Sequence, residues 1–370
     1  MKTQTGGVRH VALVAGGTGG HIYPALAVAS ALERNHPDVL VSMVVDARPA
    51  SRDAMHRAHR EPIVLPIERG LQRGLRPSAL LASARAAFAL LRSTFVARRW
   101  LRRHHPDVVV GFGAYVTVPM IVAAWSARIR LVVHEQNGYP GMANRLAVRL
   151  GATAAVSVPD TPLGPHPTLT GNPVRPEIAA VQRQPGSPAL VGVVGASLGA
   201  AVLNDAVLGV YDRWRNRSDL AIRLVTGPDK FAAVEARFRA LRRPDDRLDC
   251  TVIPYEHDMA GLYRDATVMV TRGGGSIFEL AAAGMPAVIV PWAGATEGHQ
   301  TANARAAERA GAAVHLAESA CTPSTLAATI DELLGDPDRL HAMSEAMRAF
   351  ARPDAADRLA DLVLATVVAA

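Results

Sequence analysis

Three glycine-rich turns, each set between an apolar run and a helical pattern, constrain this chain more than any other feature. The first is Gly16-Gly17-Thr18-Gly19-Gly20-His21, after the apolar run 11–15 and before the helical pattern from Pro24. The second, 195–200, follows the run 190–194 and opens a helix expected over 201–214. The third, 271–276, follows the run 268–271 and precedes a helix that carries Glu279. A short apolar run that ends in such a turn and feeds a helix reads as a strand of a parallel sheet. Glycine lets the backbone turn sharply and approach a ligand closely. Pro24 is expected near the first position of its helix. Such turns in both halves of the chain imply an α/β protein with two doubly wound halves.

The rest of the chain fits this frame. In the first half, candidate strands at 39–45, 63–66, 108–111, 131–134 and 154–158 alternate with candidate helices at 24–35, 52–59, 77–104, 118–126 and 141–150. In the second half, candidate strands fall at 221–226, 250–253 and 287–290, and from Thr322 onward the pattern is helical only. The proline-rich stretch 159–188 has little periodicity and reads as a connection. The expected domains are 1–165, a linker at 166–188, a second domain at 189–345, and a terminal helix within 346–370 that returns to the first domain. Ligands of such sheets bind beyond the C-terminal strand ends. The turns at 16–21, 111–115 and 134–137 should therefore converge on one rim.

Charge narrows the partners. The chain has 370 residues and a formal net charge of +7, split as +11 up to residue 170 and −4 after it. A basic half favours an anionic partner. The segment 69–103 holds nine arginines and no acid, interleaved with Leu, Phe and Trp. That pattern suits an anionic membrane surface, and equally core packing with snorkelling side chains. No aromatic–basic motif points to nucleic acid. Two distant cysteines, Cys250 and Cys321, suggest buried thiols in a reducing compartment. No stretch reaches the ~20 apolar residues of a membrane span, and no signal peptide is expected.

Several side chains stand where chemistry is expected. His21, at a helix start, suits a neutral general base; it is equally a histidine packing a turn. Ser197 and the free N–H groups of its turn, Gly199 among them, suit a phosphate. Glu279 can accept from a ribose diol or complement its helix dipole. Gln300 and Asn303 share a helix face and suit sugar hydroxyls, or form a solvated helix start. Arg175, after a proline-fixed turn, can clamp a diphosphate. Glu135, at a strand end, is the rival base to His21. Asp336-Pro337-Asp338 reads as a turn and helix start, and no metal site is expected. No Walker-type phosphate loop is present.

These residues, in their order and spacing, resemble the MurG family. The resemblance is carried by 16–21, 111–115, 134–144, 171–175, 195–200, 279–286 and 300–303, with His134-Glu135-Gln136-Asn137 plus Pro140-Gly141-Met142-Ala143-Asn144-Arg145, and Gly171-Asn172-Pro173-Val174-Arg175, the most specific pieces. Ala114 and Ala196 stand where the family usually has glycine, and the turn after residue 46 lacks the usual glycine-rich form. The resemblance implies a GT-B fold, two Rossmann-like domains facing a central cleft, with no metal or other cofactor. It implies inverting transfer of GlcNAc from UDP-GlcNAc to the C4 hydroxyl of lipid I, giving lipid II. It also implies a peripheral location on the cytoplasmic face of the cell membrane. It assigns His21, Tyr115 and Asn137 to the acceptor side, where Thr18, Gly19 and Glu135 are expected as well. It assigns Arg175, Ser197 and Gly199 to the diphosphate, Glu279 to the ribose, and Gln300 with Asn303 to the GlcNAc. A related transferase with another acceptor, or a UDP-GlcNAc 2-epimerase, is the alternative.

Overall fold

The computed structural model describes residues 10–17, 19–67, 77–195, 199–295 and 298–368. They divide into two compact units, residues 1–173 with 354–370, and residues 174–353.

The first unit is built on seven strands: β1 (His10–Val14), β2 (Leu40–Asp46), β3 (Ile63–Leu65), β4 (Val108–Gly111), β5 (Arg130–Glu135), β6 (Thr153–Val156) and β7 (Thr168–Leu169). Its helices are α1 (Gly19–Asn35), α2 (Pro49–Arg57), α3 (Pro77–His104), α4 (Thr117–Ser126) and α5 (Met142–Arg149). All pairings are parallel, in the order β3-β2-β1-β4-β5-β6-β7. The apolar run of β1 explains why both faces are covered. Val11, Leu13 and Ala15 enter one core cluster, while Ala12 and Val14 enter the other. Side chains alternate across a strand, so a run that is apolar at every position buries both faces.

The second unit begins with a short helix, α6 (Pro176–Ala179). Its strands are β8 (Ala189–Val194), β9 (Leu220–Val225), β10 (Asp249–Ile253), β11 (Val268–Thr271), β12 (Ala287–Ile289) and β13 (Ala313–His315). They form a parallel sheet in the order β10-β9-β8-β11-β12-β13. Helices α7 (Ala201–Trp214), α8 (Pro228–Leu241), α9 (Met259–Asp265), α10 (Ser276–Ala283) and α11 (His299–Arg309) connect them. Helices α12 (Pro323–Leu334) and α13 (Pro337–Phe350) close the unit. The last helix, α14 (Ala355–Val368), belongs to the first unit, where Leu359, Ala360 and Val363 are fully buried in the cluster of α1 and β1.

Three expectations change. Helix α1 starts at Gly19, so Pro24 lies inside it rather than near its first position. Residues 19–23 wind a turn ahead of the proline, which limits the loss to the bond its missing N–H would have made to Gly20. Part of the proline-rich stretch is a strand, since β7 pairs with β6. Two residues show no period, and the three of β13 show little more. Cys250 is half-buried, not buried, whereas Cys321 is buried. Asp336 does start a helix: its carboxylate accepts from the Arg339 N–H and caps α13.

Candidate functional site

In each sheet the strand order reverses once, at β1/β4 in the first unit and at β8/β11 in the second. Loops leaving the C-terminal ends of two such strands diverge to opposite faces and open a crevice. The glycine-rich turns follow β1, β8 and β11.

In the first unit His21 sits half-buried in the first turn of α1. Its ring lies against the turn after β4: a Cβ built on Gly113 would come 3.2 Å from His21 Cδ2 and 3.7 Å from Asn144 Nδ2. Gly113 (φ 79°) and Ala114 (φ 61°) are both left-handed, and the Thr117 hydroxyl donates to the Gly113 carbonyl. His21 of α1, the turn after β4 and Asn144 of α5 thus meet. Gly19 opens α1, and Tyr115 is half-buried ahead of α4. Thr18 lies outside the described residues.

Glu135 ends β5 and is 2 % exposed. Its Oε1 accepts from the Asn137 backbone N–H and side-chain Nδ2, both at 3.0 Å. Its Oε2 accepts from the Gly141 N–H at 3.0 Å and from Asn144 Nδ2 at 2.8 Å. A carboxylate with four donors is a strut for the loop 136–144. Asn144 Nδ2 also donates to the His134 carbonyl, which fixes the amide orientation. Asn144 Oδ1 is left buried without a hydrogen-bond partner among the described residues, an acceptor open to a ligand hydroxyl.

His134 is fully buried beneath this loop. Its Nε2 donates to the Gly171 carbonyl at 2.9 Å, and its Nδ1 accepts from Gln136 Nε2 at 3.1 Å. That arrangement requires a neutral ring, and burial holds its pKa down at about 4. His134 therefore ties β5 to the Gly171 segment. Neither it nor Asn144 was singled out from the sequence, although both stand in its most specific motif.

A second cage lies at the end of β2. Asp46, 1 % exposed, accepts through Oδ2 from the Gly17 N–H and from Arg48 Nε, both at 2.9 Å, and through Oδ1 from the Ser51 hydroxyl at 2.6 Å. Sequence alone marked this turn only as a departure.

In the second unit Gly199 packs against β9. A Cβ there would lie 1.8 Å from the Thr226 carbonyl, at a φ of 67°, so only glycine fits. Ser197 lies outside the described residues. Arg175 Nε and Nη2 donate to Glu279 Oε1 at 3.2 and 3.0 Å. The Tyr263 hydroxyl donates to Glu279 Oε2 at 3.2 Å, and burial raises that phenol's pKa well above its ordinary value. Asn303 is buried and its Nδ2 donates to the Gly273 carbonyl at 3.0 Å. Gln300 Oε1 accepts from the Trp292 N–H at 2.9 Å. Both amides thus pin turns as well as facing them. Arg272, 6 % exposed, donates to Glu318 Oε1 at 2.6 Å, and Glu318 Oε2 accepts from the Ala293 N–H at 2.8 Å. This pair joins three strand ends and was missed, because its members stand 46 positions apart.

Two parallel α/β units, each with a strand-order switch point, are the architecture of the GT-B class. The family description "Glycosyltransferase family 28 N-terminal domain" matches residues 11–156, and "Glycosyltransferase family 28 C-terminal domain" matches 190–359. A relative from Halorhodospira halophila is 39 % identical over 370 residues, covering 96 % of this chain and 98 % of its own. It is named UDP-N-acetylglucosamine–N-acetylmuramyl-(pentapeptide) pyrophosphoryl-undecaprenol N-acetylglucosamine transferase, as is a relative from Desulforudis audaxviator, 35 % identical over 369 residues and covering 95 % of this chain and 97 % of its own. The crystal structure of Acinetobacter baumannii MurG superposes with a TM-score of 0.76 at 29 % identity, covering 96 % of this chain and 99 % of that one. The chain belongs to glycosyltransferase family 28 and, within it, to the MurG family. A Listeria monocytogenes structure described as a putative UDP-N-acetylglucosamine 2-epimerase shares the fold alone, with a TM-score of 0.70 at 17 % identity over 95 % of this chain and 94 % of that one.

Proposed function

We propose that this enzyme moves GlcNAc from UDP-GlcNAc to the C4 hydroxyl of the MurNAc of undecaprenyl-pyrophosphoryl-MurNAc-pentapeptide, lipid I, with inversion, giving lipid II. The second unit holds the donor. Arg175, Ser197 and Gly199 serve the diphosphate, Glu279 the ribose, and Gln300 with Asn303 the GlcNAc. The first unit holds the acceptor with Thr18, Gly19, Tyr115 and Asn137. His21 takes the proton of the attacking hydroxyl, and UDP departs from the opposite side of the anomeric carbon. Glu135 shapes the acceptor loop.

The observation that carries this reading is His21 against the β4 turn, at the switch point of the first sheet. The Arg175–Glu279 pair supports the donor half, since it sets a guanidinium beside a carboxylate, the complement of a diphosphate next to a ribose diol. Incubation with UDP-[¹⁴C]GlcNAc and a short-chain lipid I analogue, then product identification, tests it. Label in a disaccharide product is expected; label only in an epimerised nucleotide sugar, or none transferred, overturns it.

The enzyme works at the cytoplasmic face of the membrane. No described helix is long and apolar enough to cross a bilayer. Phe88, Leu91 and Phe95 share one face of α3 and are each about 70 % exposed, among Arg85, Arg92, Arg98 and Arg99. Residues 69–76 of the basic segment lie outside those described. An apolar face edged by arginine suits anionic lipid. Binding to anionic vesicles should weaken with salt, because surface charge is screened within ~10 Å at 0.1 M.

A further inference from the structure

The Asp46–Arg48 pair departs from the family pattern and has no part in the reading above. Asp46 is saturated: besides the Gly17, Ser51 and Arg48 Nε donors, it accepts from the Arg48 backbone N–H and from Arg48 Nη2. Two consequences follow. The Gly17 N–H, which a glycine-rich turn would otherwise offer to an anion, is taken by a carboxylate of the chain itself. In exchange the Arg48 guanidinium is held over the turn, since a Cβ on Gly17 would lie 2.9 Å from Arg48 Nη2. Arg48 Nη1 makes no hydrogen bond among the described residues, and the side chain is 37 % exposed. The arginine is thus oriented by a buried anchor at the end of β2, the strand beside β1, and lies over Gly17 of the loop that leads to α1. A guanidinium fixed this way loses little freedom on binding and suits phosphate oxygens.

We propose that Arg48 is the acceptor-diphosphate anchor of the first unit, and that Asp46 positions it. This rests on the reading that the acceptor is a lipid-linked sugar diphosphate. Arg48 then supplies, from a side chain, the anion contact that the Gly17 backbone no longer provides. Its contribution falls on acceptor binding and leaves proton transfer at His21 alone.

The test is steady-state kinetics of the full chain with UDP-GlcNAc and a short-chain lipid I analogue, for the parent, Arg48→Met and Arg48→Lys. Losing a charge-assisted hydrogen bond should raise the acceptor KM of Arg48→Met about 10- to 30-fold, with kcat within about threefold and the UDP-GlcNAc KM unchanged. Arg48→Lys, which keeps the charge, should recover part of the loss. Geranyl diphosphate should inhibit the parent competitively against the acceptor and inhibit Arg48→Met more weakly by a similar factor. An unchanged acceptor KM in Arg48→Met overturns the assignment. So does equal loss of kcat and of melting temperature in both variants, which would mark a purely structural pair. If the parent does not turn over the lipid I analogue at all, the functional reading falls and this inference falls with it. Turnover by the parent with a silent Arg48→Met sinks the inference alone.

Discussion

Glu135, in the first unit, takes all its hydrogen bonds from residues two to nine positions further on, and every donor is an amide. Glu279 and Glu318, in the second, are gripped by arginines 104 and 46 positions away. On the first rim Glu135 is an amide-caged carboxylate above the buried neutral imidazole of His134, while Asp46 is held by a glycine N–H, a serine hydroxyl and Arg48. The second rim is a set of ion pairs. A carboxylate caged by near neighbours stiffens its own loop. An ion pair keeps an arginine where an anionic ligand can share it. The two rims share one fold, but Glu135 is held by nearby amides where Glu279 and Glu318 are held by distant arginines.

The sharpest way to break this contrast is at His21. His21→Ala should lower kcat by ~10²–10⁴-fold, the usual loss with a general base, and leave the UDP-GlcNAc KM nearly unchanged. Parent-like kcat would put the base elsewhere. Glu135→Gln comes next. It turns one acceptor oxygen into a donor facing two buried donors, which should cost about 3 kcal/mol of stability in denaturant titration. Its kcat should stay near the parent's; a loss as large as that of His21→Ala would make Glu135 the base and erase the contrast.

Buried His134 sharpens the comparison through pH. Its pKa, about 4 when folded against about 6.5 for an ordinary histidine, means the unfolded chain binds the proton first. Its contribution to stability is therefore full above pH 6.5 and declines as pH falls from there toward 4. Between pH 7 and 5 the loss should be roughly 2 kcal/mol. Chemical denaturation at the two pH values checks this, and His134→Asn should flatten the slope. The smallest effect is expected at Ala114, whose φ of 61° suits glycine. Ala114→Gly should stabilise the turn beside His21 by about 0.5–1 kcal/mol in thermal unfolding. A loss instead would mean that the methyl group packs against something the turn needs.

Much of the fold was legible in the sequence. Strands β4 and β11 and helix α3 fall at the residues expected, because their apolar runs end abruptly at glycines, charges or prolines. The start of α1 was not, since a proline one turn into a helix reads in sequence like one at its beginning. Nor were β7 and β13, which are too short to carry a period. Within the site, the turns and their convergence followed from strand order alone. Partnerships did not: the sequence offered Arg175 and Glu279 as separate ligand contacts, and the structure joins them. Spacing tells which residues reach one rim, not which of them meet there.

The return of α14 to the first unit carries a consequence for synthesis. Leu359, Ala360 and Val363 are fully buried against α1, so the first unit to be translated is not the first that can finish folding. The whole of residues 174–353 is made before its last helix exists. Until then the nascent chain carries an uncovered apolar seam along α1, and the second unit, continuous in sequence, can close while the first waits.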